Sequence, residues 1–265
     1  MIRCAELVRE RSDNGVVVYG WRRAVLRLGA AAGVAGPAAF TGAWIASSLR
    51  QTRHGPGGLQ LSGLAAPDAR DPAIMLAGFL VAGGCTLAFG AALRAALRGT
   101  AIGGGGPGPA LIQVAGLLTV AAGLLRRDHL LLDAPGAPGA SWHANAHDAI
   151  SGLLYASLVA AQAALAGRFG RDPAWAHWRP PLLASAAVTG VLLIAFATDV
   201  TGPEAAIFQR AAVTVPQAAV AAIAARLLWR GPAKPGATAS GSACPDGARA
   251  GTRAVPVSGN PMSKR

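Results

Sequence analysis

Charge is scarce in this sequence. Asp, Glu, Lys and Arg make up 14% of its 265 residues, where a soluble domain carries about 25%. That shortfall excludes an ordinary water-covered surface over most of the chain. Acidic groups are the scarcer kind, 12 against 24 basic, for a net charge of +12. A nucleic-acid binder with that balance would gather its Lys and Arg on one soluble face. Here they fall between long apolar runs, which excludes a nucleic-acid partner. Cysteine is also sparse: Cys4, Cys85 and Cys244 share no metal-like spacing and no plausible disulfide, and read as three separate thiols. The chain has no GxSxG, no GxxxxGK[ST] and no paired CxxC, which removes the common signatures of acyl hydrolases, phosphate-cradling loops and redox dithiols. The Gly103–Gly108 run follows no strand pattern and reads as a turn into a helix.

What the sequence does have is apolar length, with 52% hydrophobic residues and 35 glycines. A membrane helix needs about 20 apolar residues to cross roughly 30 Å of hydrocarbon. Six runs meet or approach that: about Ala24–Ser48, Pro72–Leu93, Gly108–Leu125, Ala149–Gly167, Pro181–Thr198 and Ala211–Trp229. The second and fifth carry no charged face, so they are not amphipathic core helices, and none alternates as a strand would. More than twenty mixed residues precede the first run, which is too long for a signal-peptide core and reads as a retained helix. Pro37 and Pro216 are expected to kink the first and sixth helices, with neighbouring helices satisfying the freed carbonyls. The expected fold is an all-α, polytopic membrane bundle of six transmembrane helices. Its parts are an N-terminal arm (1–23), a membrane domain (24–230) and a Gly/Ala/Pro/Ser-rich tail (231–265) too poor in apolar surface to order itself.

Basic residues give an orientation, because cytoplasmic loops carry the excess of Lys and Arg. With six spans, the N-terminus, second and fourth loops and C-terminus share one side. That side holds Arg3, Arg9, Arg22, Arg23, Arg94, Arg98, Arg168, Arg171, Arg179 and Arg230, among others. The opposite side holds Arg50, Arg53, Arg70, Arg126, Arg127 and, at a helix mouth, Arg210. Both termini are therefore expected in the cytoplasm, with the chain in the cell membrane and the lipid bilayer as its partner. Small-residue helices also permit a homo-oligomer or a membrane-protein partner.

The unusual polar residues fall on the side opposite the termini. Four of the five histidines lie there, His54, His129, His143 and His147, with Asp68, Asp71, Asp128, Asp148 and Asp199. The densest constellation is His143-x-x-x-His147-Asp148 with Asp128 upstream. If Ser141 caps the fourth helix, the two imidazoles fall one turn apart on one face. With Asp128 they could hold zinc or a similar divalent metal, shuttle protons, or fix a loop against helix ends. No glutamate lies inside the pair, so it is not the zinc-protease helix motif. Arg210, beside Gln209, is the second candidate. Its expected partner is Asp128, Asp148, Asp199 or Glu204, unless it snorkels to the headgroups. Gln113, Gln162 and Gln217 are expected to hydrogen-bond between helices, and Trp142 to anchor at the interface.

These residues carry a resemblance. Asp128 after the third run, the Gly/Pro-rich stretch Ala134–Gly139 and the His143, His147, Asp148 run with Gly152 behind it are similar to the signature of the Domain of Unknown Function 998 family. That family comprises six-helix bacterial, actinobacterial-type integral membrane proteins. Leu61–Pro67 resembles the family's segment before its second helix, and Gly202 with Gln209-Arg210 the start of its last. The resemblance implies the six-helix topology and draws attention to the polar side, and it supplies no activity. Three functions stay open: a non-catalytic membrane partner or sensor with an outward polar cluster of Asp128, His143, His147, Asp148 and Arg210; a membrane-embedded metal-dependent enzyme acting on lipid or cell-envelope substrates; and a small transporter.

Overall fold

A computed structural model describes residues 2–51, 58–98, 105–131, 139–202 and 204–230, with side chains from Arg23 to Trp229. His54, Cys244 and the tail lie outside these residues, and the Cys4 side chain outside the described side chains. Every long element among the described residues is a helix: α1 (Ile2–Arg50), α2 (Pro72–Arg98), α3 (Pro107–Leu124), α4 (Trp142–Phe169), α5 (Arg179–Thr198) and α6 (Ala205–Arg230). Each contains a stretch long and apolar enough to cross a membrane; in α1 it begins at Arg23. The shortest, α3, has 18 residues, about 27 Å at 1.5 Å per residue.

Three helix starts differ from the sequence reading. The first helix begins at Ile2 rather than near Ala24, so it runs through the residues read as an N-terminal arm. The fourth helix begins at Trp142 rather than Ala149, because the Ser141 hydroxyl accepts the Ala144 N–H at 3.1 Å and caps it. His143, His147 and Asp148 therefore lie within its first two turns. The sixth begins at Ala205 rather than Ala211, which places Gln209 and Arg210 inside the helix. Polar side chains there shortened the apolar window without ending the helix. Gly106, at φ +61°, and Pro107 start α3 as expected: glycine supplies the left-handed turn and proline fits the first helical position.

The helices form a closed ring in chain order, each packing on the next and α6 returning to α1. Lipid gives no hydrophobic drive between helices, so close approach by small residues does the packing. Gly83 of α2 and Gly116 of α3 meet reciprocally. A Cβ on Gly83 would sit 2.7 Å from the Gly116 carbonyl oxygen, and one on Gly116 would sit 2.8 Å from that of Gly83. The outer faces are apolar, with Leu117, Leu153, Val191 and Ile194 exposed, while His147, Gln162, Thr189 and Gln209 are buried. A polar inside and apolar outside is the pattern lipid requires.

Two apolar clusters fill the ring. At the end where α3 begins, Phe89, Leu93, Leu97, Ile112, Leu165, Phe169 and Ile223 close the bundle. At the other end the plug is a loop. Between α1 and α2 the chain dips into the ring, and Leu59, Leu61, Leu64 and Ala65 pack on Phe40, Met75 and Phe79. Its turn at Gly63–Ala65 is buried, and a Cβ on Gly63 would strike the Leu130 carbonyl. The Leu61–Pro67 stretch thus serves as an internal plug as well as the approach to α2.

Candidate functional site

The plugged end carries the polar chemistry. Asp128 follows α3 and ties down the start of α4. Its carboxylate accepts the Ser141 N–H at 2.8 Å and the Ser141 O–H at 2.6 Å. These two bonds, the hydroxyl's first, hold the Asp128 carboxyl below the usual carboxylate range. With its hydrogen spent on Asp128, the Ser141 oxygen can only accept from His143 Nδ1, 2.8 Å away. The Arg126 carbonyl, 3.3 Å from that nitrogen, is also an acceptor. Nδ1 of His143 therefore carries its proton, and the ring lies 3.4 Å from Asp128. Trp142 is 74% exposed and meets His143 edge-on.

His147, one turn on, is only 3% exposed. Its Nδ1 lies 2.9 Å from the Ala122 carbonyl oxygen and 2.8 Å from that of Leu125. Both are acceptors at the last turn of α3, where helix carbonyls lack intrahelical partners. The Nδ1–H is shared between them and caps α3 from the side. Asp148 pairs with Arg127, both side chains mostly buried. Arg210 donates to the Leu59 carbonyl at 2.6 Å and the Ser48 hydroxyl at 3.2 Å, and its guanidinium lies over the Trp44 ring. Through these contacts it holds the plug to α1, while Asp128 bonds to Ser141 and Asp148 to Arg127.

The five predicted residues thus divide into separate contacts. Asp128 and His143 come together through Ser141. His147 turns inward, Asp148 pairs with Arg127, and Arg210 belongs to the plug. Among the described residues no three His, Cys, Asp or Glu side chains converge on one point, so the three-ligand set of His143, His147 and Asp128 is not assembled. Gln162 bonds to the Leu158 carbonyl of its own helix rather than across helices, and Gln217 lines a cavity.

That cavity and a cleft beside it are what the sequence did not disclose. The cavity, about 60 Å³, lies inside the ring between Phe40, Phe79, Thr119, Leu158 and Gln217. The cleft, about 410 Å³, lies between α4 and α5; apolar Ala156, Leu193, Phe196 and Ala197 line it together with polar Gln60, Arg127 and Asp148 from the loop end. Ser62, His147, Ser151, Tyr155 and Gln209 line both. His147, Ser151 and Tyr155 fall at i, i+4 and i+8, one face of α4. That polar stripe in an apolar helix is the signal the sequence carries for these residues. Gln209 accepts the Leu61 N–H at 2.7 Å and is hydrogen-bonded to Tyr155. Gln60 donates to the Val200 carbonyl. Small exposed residues, Gly152 and Ala156 on α4 and Ala197 on α5, open the cleft on the flank of the bundle.

Six spanning helices, apolar outside and polar within, define a multi-pass membrane protein. Residues 33–226 match the family model described as "Protein of unknown function (DUF998)", and the chain belongs to that family. No curated protein and no solved structure matches it.

Proposed function

We propose that this protein is a non-catalytic membrane sensor or partner that takes an amphipathic molecule from the bilayer into the cleft between α4 and α5. The observation that carries the reading is the shape and polarity of that cleft. About 410 Å³ opens on the flank between α4 and α5, with polar Gln60, Ser62 and His147 beside an apolar wall of Ala156, Leu193 and Phe196. Binding sites of this kind are mostly apolar with a few placed polar groups. A headgroup would meet Gln60, Ser62 and His147, and its chain would run along Leu193 and Phe196. The metal-dependent enzyme lacks an assembled ligand set among the described residues. The transporter would need polar groups through to the far end, where the Phe89, Leu93 and Phe169 cluster closes the ring.

The termini lie on the cytoplasmic side of the cell membrane in this reading. Support comes from where the basic residues fall. Among residues with described side chains the plugged end carries Arg50, Arg70, Arg126, Arg127 and Arg210, and the other end carries Arg23, Arg27, Arg94, Arg98, Arg168, Arg171, Arg179 and Arg226, the excess that marks the cytoplasmic side.

The test is photolabelling in nanodiscs with diazirine-bearing lipids of several headgroups, with adducts mapped by mass spectrometry. Adducts should concentrate at Ala156, Leu193 and Phe196 over lipid-facing residues such as Leu117. A Gly152→Leu variant should remove that excess, since a Cβ on Gly152 meets nothing within 4 Å and the side chain can fill the cleft without disturbing the fold. Even labelling of all outer faces, unchanged by Gly152→Leu, contradicts the reading.

A further inference from the structure

The polar groups that line the cleft are unequal, and their inequality specifies the ligand. His147 Nδ1 lies between two carbonyl oxygens, so it must carry hydrogen. In the neutral ring this leaves Nε2 as a bare acceptor. Among the described residues nothing bonds to Nε2, and the ring lines both the cleft and the cavity. Gln60 repeats the situation. Its amide nitrogen must face the Val200 carbonyl, because only the NH₂ can donate there. Its Oε1 is consequently fixed, buried and without a partner among the described residues, on a side chain 7% exposed. The charged pair at the mouth, Arg127 and Asp148, is already joined. Gln209 is committed to the plug. Ser62, Ser151 and Tyr155 contribute hydroxyls, which can either give or take a hydrogen bond.

Resting on the cleft reading above, we infer that the ligand is a neutral lipid bearing a hydroxyl headgroup, whose O–H donates to His147 Nε2 or Gln60 Oε1. An acceptor left unbonded in a mostly apolar cleft gains a hydrogen bond from an entering hydroxyl, which an ether oxygen cannot supply. A site built to bond a hydroxyl rejects the analogue lacking it strongly, because its own buried polar groups stay unpaired. An anionic headgroup would set its oxygens against both acceptors, and the Arg127 guanidinium at the mouth is already paired with Asp148. The cleft's flank opening gives a bilayer-borne alcohol access, with its chain on Leu193 and Phe196.

Three probes sharing one diazirine-bearing alkyl chain separate the cases: the long-chain alcohol, its methyl ether and its phosphate monoester, each in phosphatidylcholine nanodiscs with the full-length protein. The alcohol should label Ala156, Leu193 and Phe196 at concentrations at least about tenfold below those the ether or phosphate needs. His147→Asn keeps a donor near the Nδ1 position and deletes Nε2; Gln60→Met deletes Oε1. At least one of them should reduce the alcohol's advantage over the ether to within about twofold. The ligand series on the wild-type protein decides the matter even if a variant fails to fold. Equal labelling of the cleft by alcohol and ether overturns the hydroxyl assignment and leaves the cleft as a lipid site. Preference for the phosphate likewise overturns it. No cleft labelling by any probe overturns both readings.

Discussion

Replacing His147 with alanine removes one proton shared by two carbonyl oxygens, and the cost can be worked through. The Ala122 and Leu125 carbonyls, 2.9 and 2.8 Å from Nδ1, belong to the last turn and C-cap of α3. Stranding buried acceptors costs about 1–3 kcal/mol. The imidazole's volume would join the adjoining 60 Å³ cavity, which has room for water because one water needs about 10–15 Å³. A water could therefore satisfy one carbonyl, so the net loss for His147→Ala should be about 1–3 kcal/mol. In a chain of this size that is on the order of 5 °C in Tm. His147→Asn, which keeps a donor, should lose less than about 1 kcal/mol. The assay is thermal unfolding in mild detergent, with tryptophan fluorescence and a chelator-treated control. If alanine is as stable as wild type, the ring does not cap α3 and the tautomer argument falls. If the chelator reproduces the alanine loss, His147 holds a metal rather than the helix end.

Four further outcomes are expected. Gly83→Leu should disrupt the α2–α3 crossing and leave little folded protein in size-exclusion chromatography, since even a Cβ would sit 2.7 Å from a backbone oxygen. Arg127→Met alone should cost about 3–5 kcal/mol by leaving Asp148 mostly buried and unpaired, while Arg127→Met with Asp148→Leu should recover most of it in the same unfolding assay. Asp128 is held below the ordinary carboxylate value of about 3.9, so its contribution is complete above that value and is lost as pH falls through the lowered one. Acid unfolding of wild type should therefore show a component below about pH 4 that Asp128→Asn abolishes. In intact cells a membrane-impermeant maleimide should label a cysteine at His129 and not one at Arg171; the reverse pattern would invert the topology.

The six spans were legible because lipid demands continuous apolar length, and that is a one-dimensional property. Helix starts were harder. Charged and polar side chains around Asp148 and Arg210 lowered the apparent hydropathy of turns that are nonetheless helical, and the Ser141 cap was the better signal. The pair spacing of His143 and His147 was read correctly as one helical face. Their opposite fates were not visible, because His143 is drawn to Asp128 by the loop while His147 is drawn to the end of α3. The contacts of Arg210 with the Leu59 carbonyl and the Ser48 hydroxyl were not legible, because they depend on the segment from Leu59 to Ala66 folding inward between the helices. The cleft depends on the facing positions of Gly152, Ala156 and Ala197 on two helices. Sequence spacing reveals the first two on α4 and says nothing of what α5 places opposite.

The account rests on an occupied cleft, and the most direct measurement is an electron cryomicroscopy structure in lipid nanodiscs, with an antibody fragment for size. The account predicts elongated density between α4 and α5, its chain on Leu193 and Phe196 and its polar end against His147 and Gln60. Continuous α4–α5 packing with no density, and the Gln60 and His147 acceptors bonded to protein, would contradict it.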